Sequence, residues 1–237
     1  MFSDKITEEK KEEIKNKPLP RRANYYPIEK LNLIKEEEKI IKKEKVMVFS
    51  SSIIRNNYNF QGVVSGEDVE KISNEVFKPQ NLLYIERDVA EKDFNYKQII
   101  PYCIFTKGDL VFVYERSKSG SETRLHNLLS IGVGGHINPC DGNNVEAVNS
   151  ACKREIMEEV SFSTEDQITP IALINDDSDE VNSVHFGVIY HIKLNQDSVF
   201  IPVDKALSNG TFKTFDELLL DESRIEKWSK LVISVIK

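Results

Sequence analysis

Between Glu146 and Val160 the chain groups its acids in a way that could hold a cation: Glu146, then Arg154-Glu155, the apolar Ile156, Met157, and Glu158-Glu159. Wound as a helix at about 100° per residue with Val148 at zero, Val145, Val148, Cys152 and Ile156 form an apolar stripe roughly 80° wide. Glu155 and Glu159 fall within about 20° of Val148, at the edge of that stripe, and Glu158 lies about 60° beyond Glu155. Three carboxylates therefore face one quadrant beside the core. Carboxylates half removed from water and a turn apart repel one another and resist ionisation unless positive charge compensates. They also occupy the last helical turn, where the macrodipole disfavours negative charge. A sequence that tolerates these costs is best explained by function. Oxygen donors without a neighbouring His or Cys select magnesium, manganese or calcium over zinc. Arg154 stands four residues before Glu158 and eight after Glu146, positioned to brace either one.

The elements needed to hold such a helix are legible on both sides of it. Val46-Met47-Val48-Phe49 reads as a short buried strand, and Ser65 to Ile72 as a capped helix start followed by an amphipathic turn or two. Gln98 to Thr106 and Leu110 to Glu115, joined at Lys107-Gly108-Asp109, predict a hairpin. Ser130 to His136 reads as a strand ending in glycines, and the helix spans about Asn144 to Val160. Strands near Ile168 to Ile174 and Val184 to Leu194 and helices around Phe215 to Leu220 and Arg224 to Ile236 complete the chain. Interleaved strands and helices predict an α+β class with a layered mixed sheet.

Composition narrows the choice of function. Across 237 residues the formal net charge is -7, from 32 Lys+Arg against 39 Asp+Glu, which argues against a coat for nucleic acid or an anionic membrane. Residues 1–45 are basic, with 13 Lys+Arg against 10 Asp+Glu, and read as a charged, partly helical arm interrupted at Lys17-Pro18-Leu19-Pro20. The body, 46–237, is acidic, so an anionic substrate needs local cations or a metal. No apolar run reaches the roughly 18 residues of a membrane helix. Three scattered cysteines, Cys103, Cys140 and Cys152, without a secretory leader point to a reducing cytoplasm.

Glu146, Arg154, Glu155, Ile156, Glu158, Glu159 and Phe162 stand at the spacing of the Nudix box, which they resemble. The two box glycines fall on Cys140 and Ser161. Lys97 to Tyr102, Arg124-Leu125-His126, Ser130 to Asn138, Val184 to Gly187 and Glu226-Lys227-Trp228-Ser229 further resemble a bacterial predicted-phosphoesterase subgroup of that family. The similarity covers about 46–237, with 98–237 as the Nudix core and 46–97 preceding it. It implies a Nudix-type α/β/α sandwich with an N-terminal extension. It also implies magnesium-dependent hydrolysis of the pyrophosphate bond in a nucleoside diphosphate linked to another moiety, with manganese as a substitute metal. The family's metal ligands correspond to Glu155, Glu158 and Glu159, with a carbonyl from Gly134 or Gly135, and Glu146 matches a supporting position. The general base varies among members, so Glu158, Glu159, Asp179 and Glu180 all stand as candidates. The partner implied is a small nucleotide derivative rather than nucleic acid or membrane, and the family's frequent dimers allow a homodimer.

Other residues read less sharply. Gly134, His136 and Arg124 could touch substrate, while His136 and His185, flanked by apolar residues, equally fit hydrogen-bonded core groups. Arg116, Lys118 and Arg124 border the polar loop Ser117 to Thr123, which could fold over an anionic ligand or be an ordinary solvated loop, the second being the favoured reading for Arg116 and Lys118. Trp228 is expected to pack the last helix on the sheet, and Cys103 and Cys152 to be core. Two other classes compete with the hydrolase. One is a catalytically silent nucleotide-binding or regulatory module on the same fold. The other is a prenyl-diphosphate isomerase, which would need Cys103 or Cys140 at the site.

Overall fold

The computed structural model describes residues 43–117, 125–162, 169–207 and 209–237; almost all of the expected arm, and with it Lys118 and Arg124, lies outside the described residues. Along them run β1 (Lys45–Ser50), α1 (Ser52–Asn57), β2 (Gly62–Ser65), α2 (Glu67–Val76), β3 (Leu83–Glu86), α3 (Arg87–Ala90), β4 (Tyr96–Lys107) and β5 (Leu110–Glu115). Then follow β6 (Leu129–Ser130), β7 (Gly132–Val133), α4 (Glu146–Glu159), β8 (Val160–Phe162), β9 (Pro170–Asn175), α5 (Glu180–Ser183) and β10 (His185–Leu194). The chain closes with β11 (Phe200–Pro202), β12 (Thr211–Thr214), α6 (Phe215–Leu219) and α7 (Lys227–Ile236). No helix among the described residues is long and apolar enough to cross a membrane.

The main sheet runs β12-β5-β4-β10-β9-β2, with β1 pairing both β4 and β3. It is mixed: β4 and β10 are parallel from His185↔Gln98 to Leu194↔Lys107, and the other pairs are antiparallel. The central strand β4 sorts the layers by its period of two. Ile99, Cys103 and Phe105 pack in one cluster with Val148, Cys152 and Ile156 of α4 and with α2. Tyr102 and Ile104 pack in a second cluster with Trp228, Val232 and Ile233 of α7. Helices thus cover both faces, and a substitution in β4 is felt on the side its parity dictates.

The predicted helix forms at Glu146–Glu159 with Ala147, Val148, Ala151, Cys152 and Ile156 inward. Val145, expected on the apolar stripe, stands at the N-cap ahead of the first turn and is exposed. Cys103 and Cys152 are both fully buried, with their sulfurs 3.0 Å apart where β4 meets α4. The predicted strand at Ser130 to His136 is instead two two-residue strands separated at Ile131.

Both departures from the box glycines are absorbed locally. Pro139–Asp141 form a short 3-10 turn, and the backbone reversal after it falls on Gly142 (φ 122°) rather than on Cys140. At the far end α4 passes directly into extended backbone at Val160 (φ -139°, ψ 146°), so Ser161 sits in β8 and needs no left-handed conformation.

Candidate active site

The last turn of α4, the Gly134–His136 segment and the start of α7 enclose a cleft of about 350 Å³. Glu155 and Glu159 line it, as the helical arithmetic requires. Glu158 does not: its side chain is 59% exposed on the rim, so two of the three expected carboxylates converge and the third stands beside them. Among the described residues no three acid, His or Cys side chains already form a metal-ligating group.

Arg154 explains part of that arrangement. Its Nε and Nη2 donate to the two carboxylate oxygens of Asp141, each at 2.8 Å, and Nη2 also reaches the His136 carbonyl at 3.0 Å. Nη1 donates to Glu155 at 2.7 Å and to Glu158 at 3.3 Å. The brace on Glu158 is as expected; the other expected partner, Glu146, lies exposed in the first turn, about 13 Å along the axis from Glu155. Asp141 is the partner that sequence reasoning missed. Its side chain is nearly buried, and it closes a capping box with Asn138. Burial works against its charge, but the Arg154 hydrogen bonds and the Asn138 N–H outweigh this and hold its carboxyl below the ordinary range. Asn-Pro-x-Asp was the available signal, a turn that presents an Asp beside the helix.

Glu155 and Glu159 differ although they are one turn apart. Burial raises the Glu155 pKa, opposed by Arg154 and reinforced by Glu158 and Asp141. For Glu159 burial is the largest cause again, the charges of Glu155 and Asp204 add to it, Arg116 opposes, and the result is a carboxyl pushed up to about 8. A half-buried carboxyl with no strong cationic partner is a group that a bound cation would relieve. Gly135 leaves room for the Glu155 carboxylate: a Cβ there would lie 2.7 Å from the Glu155 oxygens and would displace them.

Further residues complete the walls. Gly134 lines the cleft, and so do His136 and His185, with ring centroids 5.7 Å apart. Burial, then the nearby Arg87 and His185, push the His136 pKa well down, so its ring is neutral at physiological pH. Trp228 packs its ring edge over Gly187, as expected of a helix anchor, and also faces the cleft. Asp179 caps α5 by accepting from the Asn182 N–H, and Asp179 and Glu180 are exposed and outside the cleft lining. Arg116, expected on a solvated surface, lines the cleft and donates through Nε to buried Glu226 at 2.6 Å. Arg124 lies outside the described residues.

No family model matches the chain. It is 34% identical over 191 residues to Protein YmaB of Bacillus subtilis (strain 168), covering 77% of this chain and 91% of that protein. The crystal structure of Tm1382, assigned to the Nudix hydrolases, superposes with a TM-score of 0.66 at 29% identity over 81% of this chain and 98% of that one. A bifunctional NMN adenylyltransferase/ADP ribose pyrophosphatase from Francisella tularensis, solved with AMP and a manganese ion, overlaps at a TM-score of 0.46 and 11% identity, over 59% of this chain and 41% of that one. Box spacing, the helix that carries it and the sheet beneath it agree with the likeness to Protein YmaB and Tm1382, and the chain belongs to the Nudix hydrolase family.

Proposed function

We propose that the protein is a magnesium-dependent pyrophosphohydrolase that cleaves the diphosphate bond of a nucleoside diphosphate linked to another moiety, acting in the cytoplasm through a domain spanning 46–237. The observation that carries this reading is the pair of half-buried carboxylates, Glu155 and Glu159, in one cleft, the second with its pKa raised to about 8. Such a pair fits a hard divalent cation: the donors are oxygens, and the charge they lack is the charge the ion brings. Glu155 and Glu159 would hold the metal, with Glu158 from the rim and the Gly135 backbone, where the absence of a Cβ lets main chain and carboxylate meet. Magnesium or manganese there would supply Lewis acidity toward an anionic phosphoryl group.

The remaining work falls to the chain itself. Arg154, clamped on Asp141, fixes the orientation of Glu155. Of the four candidate general bases, Glu159 faces the cleft and Glu158 stands at its rim, which favours these over Asp179 and Glu180 for taking the proton of an attacking water. His136, neutral in its buried setting, offers a ring without adding charge.

The test is turnover of a panel of nucleoside diphosphate derivatives with magnesium at mildly alkaline pH, beside Glu159→Gln, Glu158→Gln and a chelator. Product formation lost with chelator and with Glu159→Gln establishes the hydrolase and, from the fragments, the bond cut. A folded protein that binds magnesium and a nucleotide yet turns nothing over would instead be a binding module.

A further inference from the structure

Glu226 is 3% exposed, and every oxygen it carries is engaged. Oε1 accepts from Tyr102 Oη at 2.7 Å, Ser130 Oγ at 2.6 Å and Ser229 Oγ at 3.2 Å; Oε2 accepts from Arg116 Nε at 2.6 Å, and Arg116 Nη2 approaches Oε1 at 3.5 Å. Three hydroxyls from β4, β6 and α7 thus hold a buried carboxylate, and the carboxylate holds one guanidinium. Burial opposes ionisation of Glu226, but the Arg116 charge and these donors outweigh it, so the pair stays ionised. A buried ion pair is a poor route to stability, because desolvating both charges offsets most of their attraction. It is, however, an effective way to fix where a cation points.

The Arg116 side chain is about one-third exposed, and its face is the cleft that also holds Glu155 and Glu159. Nε and Nη2 are turned to Glu226, while Nη1 has no hydrogen-bond partner among the described residues. The other cleft cations are occupied. Arg87 bonds Glu44 and Glu91, and Lys227 pairs with Asp176 at 2.7 Å. Arg116 lines the same cleft as Glu155 and Glu159, and its charge acts to lower the Glu159 pKa.

We infer that Arg116, oriented by Glu226, is an anion-binding residue that contacts a phosphoryl oxygen of a diphosphate through Nη1, in the cleft it shares with Glu155 and Glu159. This deepens the hydrolase reading and rests on it for the identity of the anion. A guanidinium presents planar N–H donors matched to phosphate, which a lysine at the same place would not reproduce. A diphosphate entering this acidic cleft would then meet the Arg116 guanidinium as well as any cation that Glu155 and Glu159 would hold.

The probe is methylenediphosphonate, a diphosphate that cannot be hydrolysed, titrated by calorimetry into the full chain with and without magnesium. Arg116→Gln is expected to weaken its binding at least tenfold while leaving magnesium binding in the absence of anion within about twofold. Arg116→Lys should recover only part of the affinity, and with a turned-over substrate should raise KM more than it lowers kcat. Unchanged diphosphonate affinity in a folded Arg116→Gln overturns the inference, whatever Glu159→Gln does to activity. Conversely, Arg116-dependent diphosphonate binding in a protein without turnover keeps the anion site and removes the hydrolase. Should the variants fail to fold, phenylglyoxal modification of the native protein mapped by mass spectrometry decides: protection of Arg116 by methylenediphosphonate supports the contact, and an unchanged modification rate refutes it.

Discussion

Two arginines flank the cleft, each held by a nearly buried carboxylate, and they differ in what is left over. Arg154 commits Nε, Nη1 and Nη2 to Asp141, Glu155, Glu158 and the His136 carbonyl. Arg116 commits Nε and Nη2 to Glu226 and leaves Nη1 without a hydrogen-bond partner among the described residues. The first is saturated by protein and acts through the residues it orients; the second has capacity for a ligand. An arginine in a motif is therefore not by itself a substrate contact. What identifies one is the count of its donors that the protein has left unmatched.

The comparison breaks most visibly at Arg154. Arg154→Ala leaves the nearly buried Asp141 carboxylate without its cation, and removing one partner of such a pair costs about 3–5 kcal/mol. Chemical denaturation should show a loss of that order, and turnover should fall with it because Glu155 loses its brace. A variant that melts within a degree or two of the native protein would show that the loop, through Asn138, holds Asp141 without help from Arg154.

Glu159 offers the opposite sign. Folded, it keeps its proton up to about 8, against an ordinary 4.5, so the unfolded chain binds fewer protons between those values and stability falls as pH rises, at up to roughly 1.4 kcal/mol per unit. Partial contact with water reduces the total, and Glu159→Gln should stabilise the metal-free protein by roughly 2–3 kcal/mol near pH 8, with no difference below about pH 4. Adding magnesium should stabilise the native protein at pH 8 and not the variant. A gain that is independent of pH would mean that the carboxyl is ionised without strain.

At Glu226 the direction reverses again. Its pKa is held below the ordinary value, so it contributes stability above the unfolded carboxylate pKa that is lost as pH falls through the lower folded one. Glu226→Gln keeps the shape and some of the hydrogen bonds but removes the charge facing Arg116, and is expected to cost about 1–2 kcal/mol at pH 7. Urea titrations at pH 7 and pH 3 should show the difference shrinking in acid; a constant difference would assign the loss to packing.

Much of this was legible in the sequence, for a reason particular to each residue. Glu155 and Glu159 were placed by helical angle alone, since α4 buries Val148, Cys152 and Ile156 as the stripe requires. Cys103 was read as core from its place in the middle of a strand, and it is fully buried. Asp141 left only the Asn-Pro-x-Asp turn as a signal, and Arg116 and Glu226 were not legible as a pair, because they are 110 positions apart and no spacing rule reports a contact that only the fold makes. Arg116 in particular stands beside a polar loop, where local composition argues for solvent, and only the buried Glu226 on another layer turns it inward.

The smallest effect is expected where the chain departs from the family pattern. Were Ser161 in a strained conformation, restoring glycine would stabilise the protein. The backbone there is instead extended, with Ser161 paired to Ile201 across β8 and β11. Glycine in a strand adds freedom to the unfolded chain and nothing to the folded one, so Ser161→Gly should cost about 0.5–1 kcal/mol and leave KM unchanged. Cys140 behaves likewise, since Gly142 takes the positive φ that the turn needs. Thermal melts and steady-state rates of Ser161→Gly together test this: a stabilised or faster variant would show that the end of α4 is strained after all.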